Sequence, residues 1–146
     1  MSAQNFSNLI NGKWVGSNDY RSNINPSDTR DVVGEYAQGT KEDASNAIAA
    51  ASEAFPKWSH STPQQRFDLL DAAGTEILKR RDELGNLLAR EEGKTLPEAI
   101  GEVARAGNIF KFFAGEALRI TGDSVASVRP GIGVEVTREP LGVIGL

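Results

Sequence analysis

Any chemistry in this 146-residue chain must come from a short list of side chains. It has no cysteine, so a thiolate nucleophile, a thiolate metal site and a disulfide are all excluded within it. The one histidine, His60, stands between Ser59 and Ser61, where a surface position is the ordinary outcome and proton transfer the alternative. The carboxylates offer more. Glu91 and Glu92 are expected to close a helix, where negative charge opposes the helix dipole and Lys94 or a bound cation would compensate. Glu98 and Glu102 fall one turn apart on the next helix, with Arg105 three residues beyond Glu102. Two readings of Arg105 stay open: an ordinary ion pair with Glu102, or a guanidinium fork that faces a cleft and holds a carboxylate.

Two further patterns point to simpler roles. Gly131-Ile132-Gly133 starts like a dinucleotide fingerprint, but Val136 stands where the third glycine belongs and a strand follows where a helix is required. It reads as a turn. Lys79-Arg80-Arg81 runs straight into Asp82-Glu83 and reads as a solvated helix face rather than a phosphate site. From the residues alone, no complete site for covalent or metal-assisted catalysis is present.

The elements that must position these groups begin with small strands. Asn11-Gly12 between apolar flanks predicts a tight hairpin over Leu9–Val15, followed by extended pieces at Ser22–Pro26 and Asp31–Tyr36. Three helices are then expected. The first starts at Thr40, with Asp43 in an imperfect capping box, and ends before Pro56. Its buried stripe would be Ala44, Ala47, Ile48, Ala51, Phe55 and Trp58. The second runs from Thr62, with Pro63 in its first turn and Gln65 completing a capping box, to a stop at Gly93. The third starts near Thr95 or Leu96 and stops at Gly122, burying Ile100, Val103, Gly107, Phe110, Phe113, Ala114 and Ala117. A second hairpin, Ser124–Val128 with Val134–Glu139, leads into Leu141–Leu146, an apolar run that reads as a buried parallel strand. A chain that stops there is expected to be part of a longer one.

Composition bounds the function class. Hydrophobic residues make up 39% and charged residues 25%, values typical of a globular domain. The formal charge of −4 and pI near 5.1 argue against nucleic acid as a partner. No run approaches the ~20 apolar residues of a membrane span, and Met1–Asn5 lacks the features of a secretory leader, so no membrane partner and a cytoplasmic location are expected.

Taken in order, these landmarks resemble the N-terminal part of the NAD(P)-dependent aldehyde dehydrogenase superfamily. The resemblance is carried by Ile10-Asn11-Gly12-Lys13-Trp14-Val15, Asn25-Pro26, Ala50-Ala51, Ala54-Phe55-Pro56-Lys57-Trp58 and Arg66. It continues through Glu92-Gly93-Lys94, Glu98-Ala99, Phe112-Phe113-Ala114-Gly115 and Glu139-Pro140-Leu141-Gly142-Val143-Ile144. Glu91 to Gly122 looks most like the α-ketoglutaric semialdehyde (2,5-dioxopentanoate) dehydrogenase branch. The implied fold is α/β, with residues 1–122 in the cofactor-binding domain, 123–139 an oligomerisation hairpin and 140–146 the truncated first strand of the nucleotide-binding sheet. The implied cofactor is NAD or NADP, the substrate a small aldehyde, and the assembly a homodimer or homotetramer through the 123–139 hairpin.

The family's chemistry is thiolate attack on the aldehyde, hydride transfer to the nicotinamide and thioester hydrolysis, aided by a glutamate base and an oxyanion asparagine. None of these residues is in this sequence, so the segment alone is expected to be inactive. The alternative is a non-catalytic helical scaffold derived from the same fold. Residue by residue, the resemblance implies a monovalent-cation site at Glu91 and the backbone of Ile24. It also implies that Arg105 lines the substrate tunnel and meets a substrate carboxylate.

Overall fold

The computed structural model describes residues 4–146. It opens with five short strands: β1 (Asn5–Phe6), β2 (Asn8–Ile10), β3 (Lys13–Val15), β4 (Tyr20–Ile24) and β5 (Val32–Ala37). Hairpin β2–β3 turns on Asn11 and Gly12, both with positive φ, as an Asn-Gly turn requires. β5 is the centre of a three-stranded sheet, parallel to β1 and antiparallel to β4, with a register irregularity at Asn23/Ile24.

Four helices follow, not three: α1 (Lys41–Ser59), α2 (Pro63–Lys79), α3 (Arg81–Glu92) and α4 (Leu96–Ala117). α1 and α2 start at the expected caps, and both boxes are complete, Thr40 with Asp43 and Thr62 with Gln65. α1 does not stop before Pro56. The proline sits in the last turns, where the only helical bond it removes is the one to the Ser52 carbonyl, and the helix continues to Ser59.

The expected second helix is divided at Arg80, a single residue at φ −97° and ψ 14° that ends α2 and starts α3. Neither glycine nor proline marks the break. Its cause is tertiary, because α2 and α3 each pack along α4, with Gly74 against Gly107 on one and Gly85 against Ile100 on the other. A Cβ on Gly74 would lie 2.8 Å from the Gly107 carbonyl oxygen, and one on Gly85 would lie 2.6 Å from Ile100 Cγ1. Backbone therefore approaches backbone where these helices cross.

α4 closes at Ala117, well before Gly122, because the Leu118 N–H turns back to the carbonyls of Gly115 and Glu116. Gly122 instead lets the chain pass against the backbone of Val136. That residue belongs to the second hairpin, β6 (Asp123–Ala126) with β7 (Gly133–Val136). Leu141–Leu146 forms no strand. Among the described residues nothing pairs with it, and Leu141 is 93% exposed.

The core is built of small side chains: Val33, Ala37, Ala99, Val103, Ala114 and Ala117. Several residues expected inside are exposed, including Ile48, Trp58, Phe110 and Phe113. The accessible surface is 11,239 Å². A self-contained monomer of 15.7 kDa would expose about 7,300 Å² by the usual size scaling. Among the described residues, much of the apolar stripe of α1 and of the outer face of α4 is thus left exposed.

Candidate functional site

Four of the carboxylates singled out by the sequence, Glu91, Glu92, Glu98 and Glu102, lie where β4, β5, the α3 C-terminus and the first turns of α4 meet. Gly93 ends α3 at φ 71°, the left-handed conformation that favours glycine. The same position faces the loop after β4, where a Cβ would lie 2.7 Å from Pro26 Cγ, and Ser27 Oγ donates to the Gly93 carbonyl at 2.8 Å. A second tie comes from Arg90, whose Nε and Nη2 donate to the two oxygens of Asp31 at 2.8 and 2.6 Å. Arg90 and then Asn25 hold the Asp31 carboxyl down at about 2.

These ties bring Glu91 against the sheet. Its Oε1 accepts from Asn23 Nδ2 at 2.8 Å and from the Tyr36 hydroxyl at 3.4 Å. Burial, followed by the charge of Glu91, pushes the Tyr36 phenol above its ordinary range, so it stays a donor. Glu91 is therefore held beside Asn23, the neighbour of Ile24, at the point where the β4–β5 register shifts. Asn23 and Tyr36 had no motif to announce them. A strand asparagine and a strand tyrosine acquire a role only once β4 and β5 pair and α3 docks on them.

Lys94 compensates the acidic end of α3, but through Glu92 rather than Glu91. Its Nζ lies 2.5 Å from a Glu92 oxygen and donates to both oxygens of Glu102 at 2.8 and 2.7 Å. Hydrogen bonds to Glu102 and then Glu92 raise the Lys94 pKa above its ordinary value. Glu98 takes a bond from Thr95 Oγ1 at 2.7 Å. Of the two readings of Arg105, the ion pair with Glu102 does not form. Arg105 is exposed on α4 and, among the described residues, has no acidic partner.

The remaining candidates resolve into structural roles. His60 is the C-cap of α1, with Nδ1 2.8 Å from the Pro56 carbonyl and 3.1 Å from Ser59 Oγ. It borders an open groove of about 650 Å³ between α1 and α2, whose lining includes Trp58, Gln65 and Leu69 but not Arg105, Glu91 or Ile24. Arg80 is paired bidentately with Glu83, and Arg81 and Lys79 also have acidic neighbours. Gly131 and Ile132 lie in the connection from β6 to β7 and Gly133 opens β7, with no helix after it, so the segment does not form a phosphate cradle. Among the described residues no cluster of three metal-ligating side chains occurs, and no helix is long and apolar enough to cross a membrane.

Comparison with known proteins bears on the family of the chain. Residues 14–146 match the aldehyde dehydrogenase family. The chain is 40% identical over 141 residues to α-ketoglutaric semialdehyde dehydrogenase of Bacillus subtilis, covering 95% of this chain and 29% of that protein. It is 36% identical over 141 residues to α-ketoglutarate semialdehyde dehydrogenase of Haloferax volcanii, with the same shares, 95% and 29%. Among solved structures, betaine aldehyde dehydrogenase of Staphylococcus aureus in complex with NAD+ superimposes with a TM-score of 0.85 at 34% identity. That match covers 92% of this chain and 27% of the other. The chain thus spans under a third of the length of the relatives it matches.

Proposed function

The chain belongs to the aldehyde dehydrogenase family, and from that premise we propose that it forms the N-terminal part of an NAD(P)-dependent enzyme oxidising a carboxylate-bearing semialdehyde to the acid. The large exposed surface supports a larger polypeptide around it, and since this sequence has no cysteine, the thiolate of the proposed mechanism would come from residues outside it. When bound, NAD(P)+ supplies the hydride acceptor. We propose that residues outside this sequence hold it, since among the described residues Gly131–Gly133 is followed by a strand and not by a helix. We place the enzyme in the cytoplasm.

What this chain contributes is recognition and support. The observation that carries the reading is Arg105: an exposed guanidinium with no acidic partner among the described residues, in a segment whose relatives are named for semialdehydes. A guanidinium fork binds a carboxylate through two parallel hydrogen bonds, fixing both the distance and the plane of the substrate's far end. The aldehyde would then be presented at a set reach from α4. We expect Arg105→Ala in the full-length enzyme to lower kcat/KM for succinate semialdehyde roughly 10- to 100-fold, the worth of a charged hydrogen bond, and to leave butanal nearly unchanged. Equal losses on both substrates would overturn the assignment.

Two supporting roles belong to the same reading. Glu91 and the Ile24 carbonyl are the proposed ligands of a monovalent cation. The reading is supported by Asn23, the residue before Ile24, which donates to Glu91, and by the engagement of only one Glu91 oxygen among the described hydrogen bonds. Hairpin β6–β7 is the proposed homo-oligomer contact. A two-stranded ribbon is marginal alone, and this one exposes every residue of both strands, including Val125, Val134 and Val136.

A further inference from the structure

The unpaired state of Arg105 among the described residues calls for an explanation, because Glu102 stands three residues before it on the same helix. At that spacing an acid and a base on a helix surface ordinarily meet. Here they do not. Both oxygens of Glu102 are taken by Lys94 Nζ, which also lies 2.5 Å from Glu92 and whose side chain is only 21% exposed. Lys94 comes from the α3–α4 connection, anchored by Gly93 and its bond from Ser27, so its reach toward Glu102 is set by the fold rather than by chance on the helix surface.

We propose that Lys94 is a positioning and specificity-determining residue: by holding Glu102 it keeps a competing carboxylate off Arg105, leaving the guanidinium free for the substrate's carboxylate. The inference rests on the assignment of Arg105 made above. It accounts for a charge pattern that is otherwise uneconomical. Three carboxylates, Glu92, Glu98 and Glu102, cluster about the α3–α4 connection and the first turns of α4, and Glu102, one turn before the candidate anion-binding arginine, would spoil a site for acidic substrates if it swung onto it. Two of the three are held by Lys94 and the third by Thr95.

The test uses the full-length enzyme, with succinate semialdehyde and butanal as the charged and uncharged substrates. Lys94→Met should raise KM for succinate semialdehyde about threefold, the scale of an exposed helix ion pair acting as competitor, with kcat and both butanal constants unchanged. Adding Glu102→Gln to that variant should restore KM, because the competing charge is then gone. Lys94→Arg, which keeps the clamp, should behave as the parent. Lys94→Gln provides a second uncharged variant should the methionine protein fail to purify, with the same expected result. If Arg105→Ala is selective for the charged substrate while Lys94→Met and Lys94→Gln change nothing, the positioning role is refuted and the Arg105 assignment stands. A Lys94→Met loss shared by both substrates and not restored by Glu102→Gln refutes it as well, since that marks a purely structural lysine. If Arg105→Ala itself is unselective, both ideas fall together.

Discussion

Replacing Gly74 by alanine should destabilise the chain although it improves helix propensity. The structure allows the competing effects to be weighed across three glycines that all lie in helix interiors. Gly101, on the exposed side of α4, has nothing within 4 Å of the methyl that alanine would add, so Gly101→Ala should gain the propensity difference alone, about 1 kcal/mol. At Gly107 the methyl would lie 2.7 and 2.9 Å from Leu78 Cγ and Cδ2. A leucine can shift and the Gly74 carbonyl oxygen, at 3.2 Å, need give only a few tenths of an ångström, so an overpacking cost of about 1–3 kcal/mol offsets the gain and leaves a loss of about 0–2 kcal/mol.

At Gly74 the nearest atom is the Gly107 carbonyl oxygen, 2.8 Å away, followed by Lys111 Cγ at 3.0 Å. Backbone cannot step aside. α2 must move off α4, taking with it the bonds from Lys111 to Asp71 and Thr75. The upper end of the overpacking range then applies, for a net loss of about 2 kcal/mol. Urea unfolding followed by far-UV circular dichroism should rank the variants Gly101→Ala above the parent, then Gly107→Ala, then Gly74→Ala. Top and bottom should be about 3 kcal/mol apart, or roughly 9 °C in Tm for a domain of this size. Equal stabilities for Gly74→Ala and Gly101→Ala would refute the claim that backbone contact at the α2–α4 crossing sets the helix spacing.

Other outcomes follow from the same contacts. Asp31, held at about 2 by Arg90 and Asn25, binds its proton more weakly folded than unfolded, so its contribution is complete above pH ~4 and drains away as pH falls toward 2. Asp31→Asn should therefore lower stability at pH 6 and flatten its decline between pH 4 and 2, and an unchanged slope would remove Asp31 from the acid response. Thr62→Ala deletes the hydroxyl that caps Gln65 N–H and should cost about 1 kcal/mol in the same urea assay. For the cation, potassium should raise the Tm of the full-length protein, and Glu91→Gln should abolish that rise; an undiminished response would exclude Glu91 as a ligand.

The local signals of the chain were sufficient wherever one segment settles its own geometry. Asn11-Gly12 needs only itself to turn, Thr40 and Thr62 cap their helices through residues three positions on, and Gly93 stops α3 by its left-handed conformation. The family, too, was legible from the order of short motifs along the chain, and residues 14–146 match it. Tertiary packing decided the rest. The break at Arg80 has no local breaker, because it exists to lay α2 and α3 along one partner helix. Leu141–Leu146 has the composition of a strand but no neighbouring edge among the described residues, and a strand is a property of a pair. The site divides along the same line. Glu91, Lys94, Glu102 and Arg105 could be named from residue type and spacing. That Lys94 rather than Arg105 takes Glu102 depends on where the α3–α4 connection is anchored, since a helix offers a carboxylate two neighbours of opposite charge and only the fold decides which is within reach.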